Sequence, residues 1–260
     1  MKPAYALFPV LTVALLLAVA PVHASSKMDN RIEASARKSY VFKTYLKGDD
    51  IKIQSRDGVV TLTGSVLEES HKSLAQETVA ELPGVKKVDN RLEVKGDRPA
   101  VNPDLWLGTK VKTTLLFHRN VNAIKTEVSV KDAVVTLRGD ATSEAQKDLT
   151  AEYAKDVEGV KDVKNEMTVS GASTSAAPAK TLETVGEKID DASITAQVKV
   201  TLLYHRSTSG IATKVKTKNG AVTVSGKAKN AAEKDLVTKL ASDVNGVKKV
   251  TNRMTVAGSK

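Results

Sequence analysis

The 260-residue chain contains no cysteine, so disulfides, cysteine-ligated metals and thiol chemistry are all excluded. Aromatic residues make up 3% of it, with one tryptophan, which leaves little for stacking nucleic-acid bases. Long hydrophobic runs are also missing. The longest, Val10 to Ala20, falls well short of the roughly twenty residues that span a bilayer as a helix. It follows Lys2 and precedes Pro21 and the small-residue ending Val22-His23-Ala24, so residues 1–24 read as a signal peptide cut after Ala24. Without a cysteine after the cut, lipid attachment is excluded. The expected location is therefore the periplasm, as a soluble exported protein.

What is present is a threefold repeat. Gly64, Gly84 and Asn90 recur with unchanged spacing as Gly139, Gly159 and Asn165, and again as Gly226, Gly246 and Asn252. Around each set runs the pattern helix, strand, strand, helix, strand. The expected fold class is α+β: three tandem small αββαβ modules, each a three-stranded mixed sheet with two helices on one face. The modules span 29–96, 103–171 and 187–258, with 172–186 a Ser/Thr/Ala-rich flexible linker. Each is expected to close its own core, and copy three to move freely relative to the other two.

Within a copy, Asp29, Asp104 and Asp191 are expected to cap the first helix, three residues before Ile32, Leu107 and Ile194. The hairpin turns are Asp57-Gly58, Asp132-Ala133 and Asn219-Gly220. Ala133 resists the positive φ such turns demand, so copy two is expected to differ or to be strained. Gly84, Gly159 and Gly246 stand past the second helix, where a left-handed residue is needed. Asn90, Asn165 and Asn252 fall on the apolar phase of the third strand, where a buried amide must find partners, and the nearby backbone is the expected one.

The stretches Asp57-Gly-Val-Val-Thr-Leu-Thr-Gly64 and Pro83-Gly-Val-Lys-Lys-Val-Asp-Asn90, repeated in copy three from Asn219 to Gly226 and from Asn245, resemble the BON domain. That family is named for bacterial osmotically inducible periplasmic proteins and nodulation proteins. The resemblance implies a small sheet with two helices on one face, export to the envelope, no enzymatic activity, and a role in binding phospholipid or stabilising envelopes under osmotic stress.

No catalytic constellation, cofactor motif or metal-ligand spacing is evident in the residues. His118 and His205 occupy equivalent places, in Phe117-His118-Arg119 and Tyr204-His205-Arg206. They read as cations complementing the ends of the first helices rather than as ligands. Charge separates the copies more sharply. Residues 29–96 hold 12 basic against 11 acidic side chains and residues 103–171 hold 10 against 11, but residues 187–258 hold 13 against 6. Strand phase places Lys214, Lys216 and Lys218 outward beside Lys249 and Arg253, as candidates for binding lipid headgroups or other anions. The expected partner is an anionic phospholipid or membrane surface, and envelope proteins come next. The second reading is a periplasmic chaperone or protein-binding scaffold. Nucleic acid is not expected.

Overall fold

In a computed structural model, the described residues are 22–95, 103–170, 188–208 and 213–257. Residues 1–21 of the expected leader 1–24 and the linker 172–186 lie outside them, and the last three leader residues, Val22 to Ala24, form the start of the first helix. Helix α1 takes in Val22–Lys38 and gives way at Ser39 to a short α2, Tyr40–Thr44. The Ser39 hydroxyl donates to the Ala36 carbonyl at 2.8 Å and accepts from the Phe42 amide, so this serine ends one helix and starts the next. Strands β1 (Asp50–Arg56) and β2 (Val59–Val66), helix α3 (Glu69–Ala80) and strand β3 (Lys87–Val94) complete copy one.

Copy two repeats this order as α4 (Pro103–Phe117), β4 (Thr126–Lys131), β5 (Val134–Ala141), α5 (Glu144–Lys155), β6 (Asp162–Asn165) and β7 (Thr168–Val169). Copy three does so as α6 (Asp191–Tyr204), β8 (Thr213–Lys218), β9 (Ala221–Ala228), α7 (Ala231–Asp243), β10 (Lys249–Asn252) and β11 (Thr255–Val256). In each copy the hairpin is antiparallel, and the last strand, reached through a crossover helix, runs parallel to the second. The parallel register is the same throughout: Leu62 pairs with Asn90, Leu137 with Asn165 and Val224 with Asn252. β6 and β7, like β10 and β11, are therefore two parts of one edge.

The aspartates Asp29, Asp104 and Asp191 do not cap helices. Asp29 lies inside α1, and the N-cap of α6 is Asp190. Each instead crosses to its hairpin turn and accepts from the two turn amides: Asp57 and Gly58 at 2.9 and 3.0 Å, Asp132 and Ala133 at 2.7 and 2.9 Å, Asn219 and Gly220 at 2.7 and 2.9 Å. A turn tip offers two unpaired N–H groups side by side, and a carboxylate answers both at once. All three turns have positive φ at both central residues, Ala133 included, at 64°. Copy two thus keeps the turn of its neighbours and carries the strain of an alanine there. Ala133→Gly is expected to raise stability by about 1 kcal/mol, read as a higher urea midpoint at unchanged slope.

Two corrections concern the relation between copies. Copies two and three share one hydrophobic cluster, reaching from Leu107 and Val111 through Val157 to Val198 and Leu240. Copy one's cluster takes in Phe117, Ala196, Val200 and Tyr204 from the other two. Copy three is therefore not free to move. Helix α6 is apolar on two sides: Ile194, Val198 and Leu202 face its own sheet, while Ala196, Val200 and Tyr204 face copy one. Polar contacts fix the seam. The Tyr40 amide donates to Asp190 at 2.7 Å, and Lys199 bridges Glu77 and Glu81 at 2.9 and 2.7 Å.

Copies two and three hold each other by the same residues in both directions. The Arg119 amide donates to the Asp243 carbonyl and the Asn245 amide to Phe117, just as the Arg206 amide donates to Asp156 and the Glu158 amide to Tyr204. The Arg119 guanidinium reaches the Ser242, Val244 and Val247 carbonyls, and that of Arg206 reaches Lys155, Val157 and Val160.

Candidate functional site

The face of the copy-three sheet that turns away from α6 and α7 is built by strand alternation. In β8, Thr213 and Val215 are buried while Lys214, Lys216 and Lys218 are exposed; in β9, Val222 and Val224 are buried. Register then sets the outward residues in rows. Lys216 stands opposite Thr223 and Thr251, and Lys218 opposite Ala221 and Lys249. Lys214 lies opposite Ser225, next to which Arg253 enters the ladder through its amide bond to the Val224 carbonyl at 2.7 Å. The five candidate cations therefore share one open face, and exposed Lys227 continues it along β9. Its other outward positions are alanine, threonine and serine, with no carboxylate among them. Long, mutually repelling side chains on small neighbours stay solvated and available to an anion.

Equivalent positions in copy two are mostly acidic: Glu127, Ser129 and Lys131 in β4, Asp140 in β5, and Asp162 and Glu166 along the third strand, with Glu166 engaging Arg138 at 2.8 Å. Copy one is different again, and its near-balanced total charge hides a weaker version of the same face. Lys52 and Arg91 flank Thr63, and Arg56 and Lys87 flank Val59, which repeats four of the five cations of copy three. Asp89 in the middle row pairs with Arg91 at 2.6 Å, and Asp50 and Glu93 flank Ser65 at the far end. Strand phase applied to copy one would have found this weaker version.

The asparagines lie on the covered side. The side-chain amide of Asn90 donates to the Lys72 carbonyl and to Gln76, that of Asn165 to the Lys147 carbonyl, and that of Asn252 to the Lys234 carbonyl and to Thr238. Each side-chain oxygen accepts from the amide two residues on: Leu92, Met167 and Met254. They tie the third strand to the second helix. Gly64, Gly139 and Gly226 stand inside the second strands, with φ of 107°, 118° and 142°. At Gly139 a Cβ would come within 1.9 Å of the Lys125 carbonyl oxygen, so the hairpin closes only over a glycine. Gly84, Gly159 and Gly246 turn the chain into the third strand at φ of 94°, 101° and 84°. A Cβ on Gly246 would meet Ile194 of the first helix at 3.1 Å.

The histidines are not helix-end cations. His118 is fully buried, lies flat on the Tyr153 ring at 3.8 Å between centroids, and is held neutral, burial pushing its imidazole down to about 3. His205 is buried too, and desolvation lowers it against the opposing pull of Asp156, 3.6 Å away. His71 sits apart in copy one, 2.7 Å from Asp49. Among the described residues no group of three or more histidines and carboxylates is arranged to hold a metal ion, and no helix is long and apolar enough to cross a membrane. A cleft of about 390 Å³ between α3 and α6 is lined by Glu69, Lys72, Glu77 and Lys199, with Asn90 at its wall. Lys199 is neutralised there by its two glutamates, so the cleft has no net charge to offer an anion.

The BON domain family matches three stretches of the chain, residues 28–96, 103–171 and 190–258. The chain is 30% identical over 190 residues to osmotically-inducible protein Y of Escherichia coli K12, covering 73% of this chain and 87% of that protein. It is 31% identical over 116 residues to a 21 kDa hemolysin of Actinobacillus pleuropneumoniae, covering 44% of this chain and 59% of that one. Among solved structures, the C-terminal domain of CdsD, a structural protein of the type III secretion system of Chlamydia trachomatis, aligns over 87% of this chain and 95% of its own. The identity is 16% and the TM-score 0.22.

Proposed function

The chain belongs to the BON domain family, and from that premise we propose that it is a non-enzymatic envelope protein that docks on anionic phospholipid through the open sheet face of copy three. The observation that carries this is the set Lys214, Lys216, Lys218, Lys227, Lys249 and Arg253 on one solvent-facing surface with no acidic side chain between them. Near an anionic membrane each such residue contributes roughly 1 kcal/mol, enough in combination for reversible attachment. The family, the similarity to an osmotically inducible protein and the leader-like N-terminus together support action in the periplasm, where peripheral attachment would sustain the envelope under osmotic stress.

The test is co-sedimentation of the mature protein with vesicles of phosphatidylcholine alone and of phosphatidylcholine mixed with phosphatidylglycerol. Binding is expected only to the anionic vesicles, and should fall steeply between about 50 and 500 mM salt as the Debye length shrinks. Salt-independent binding, or equal binding to both vesicles, rules out the electrostatic reading and favours the protein-binding scaffold.

A further inference from the structure

The reciprocal contact between copies two and three has two imidazoles at its centre. His118 and Val244 form a bridge across it, as do His205 and Val157. Thr114, Thr201, Tyr153 and Leu240 complete the walls around a void of about 10 Å³, the lower limit for a single water. Neither ring nitrogen of His118 makes a hydrogen bond, and the Thr114 and Thr201 hydroxyls are also buried without partners. On His205 the Nδ1 accepts from the Ser207 amide at 3.1 Å, while Nε2 faces Asp156.

We propose that these histidines form an acid-operated latch, which closes copies two and three on each other while both rings are neutral and releases them on protonation. The surroundings favour release. Just past the end of α6, Arg206 repels an imidazolium on His205, and a charge on His205 in turn repels one on His118. From α7 comes Asp243, whose carboxylate already accepts from the Tyr153 hydroxyl at 2.7 Å. From the end of α5 comes Asp156, half-exposed and 3.6 Å from His205, so it attenuates the effect there and leaves His118 as the stronger element. A proton on His118 would add a charge inside an apolar seam, where the Asp243 backbone carbonyl offsets only part of the cost of burial.

The direction with pH follows from which state binds more protons. In the open state His118 titrates near the ordinary value of roughly 6.5, whereas burial holds it at about 3 in the closed state. The closed form is therefore fully favoured above pH 6.5 and loses ground as pH falls toward 3. Between pH 7 and 5, His118 alone should lower the closed-to-open ratio about 25-fold, and His205 acts in the same direction.

Amide hydrogen exchange on the full chain tests this, with rates corrected for the intrinsic pH dependence. The cross-copy amides of Arg119, Glu158, Arg206 and Asn245 should lose protection more than tenfold between pH 7 and 5, while amides inside β2, β5 and β9 keep theirs. His118→Phe preserves a flat ring on Tyr153 and takes up no proton there, so its cross-copy amides should keep most of the protection that the parent loses at pH 5, the remaining loss being the share of His205. Equal protection of the parent at both pH values, or opening of His118→Phe at the same pH as the parent, overturns the latch. If that variant fails to fold, magnetic-resonance titration of His118 in the parent decides: protonation near pH 6.5 with the seam amides still protected overturns it, and protonation only as they open supports it.

Discussion

Replacing Arg119 and Arg206 together by alanine is expected to destabilise the protein by about 4 kcal/mol, a large part of the roughly 5–15 kcal/mol that holds a typical domain folded. Each guanidinium donates to three carbonyls where the partner copy's second helix has ended, groups that have no helical partner of their own. A hydrogen bond with a charged donor contributes about 1.5–3 kcal/mol. The three carbonyls share one nitrogen and the site is partly exposed, so about 2 kcal/mol per arginine is the reasonable figure. Urea denaturation of the single and double variants measures it. Lysine at both positions should recover less than half, because its ammonium ends a bond short of the Nη2 position that meets all three carbonyls. Arg138→Ala, which removes an ion pair half-exposed at the surface, should cost less than about 1 kcal/mol and serves as the control.

The same contact explains which copies pair. Copy one has Phe42-Lys43-Thr44 where the others have an aromatic residue, histidine and arginine, so it brings no guanidinium. It also has Pro83 where copies two and three have Glu158 and Asn245, whose amides close the cross-copy bonds. Proline has no N–H to give. Copy one thus lacks a donor on either side of such a contact, and it packs through α3 against α6 instead.

The repeat, the element order, the strand directions and the turns were legible because each depends on local chemistry: glycine where φ is positive, alternation along strands, period along helices. The relation between copies was not. A linker rich in small residues suggested freedom, yet the decisive signal lay in α6, where Ala196, Val200 and Tyr204 add a second apolar side to Ile194, Val198 and Leu202. A helix that covers only its own sheet needs one. The histidines differ from their sequence expectation for a related reason: a cation suits a helix end exposed to water, and these ends are covered by another copy. Sequence distance to the helix start points the aspartates to capping, whereas the constant separation of 28 and 29 residues to the turn amides marks them as clamps.

Reversing three charges on the open face of copy three should have the largest effect on binding. Lys214→Glu, Lys216→Glu and Lys218→Glu together are expected to weaken association with anionic vesicles at least 100-fold at low salt. Each lysine gives up roughly 1 kcal/mol of attraction and each glutamate adds repulsion of the same order, while a tenfold change in affinity needs only about 1.4 kcal/mol. Screening among neighbouring charges reduces the sum, which is why the bound is set low. Stability should hardly move, because all three side chains are exposed and the core side of β8 rests on Thr213 and Val215. The two-residue reversal Lys52→Glu, Arg56→Glu in copy one should weaken binding far less, since Asp89 already engages Arg91 and Asp50 and Glu93 lie on the same face. If the triple variant melts like the parent and binds as tightly, the open face is not the docking surface, and the protein-binding scaffold takes its place as the reading to test.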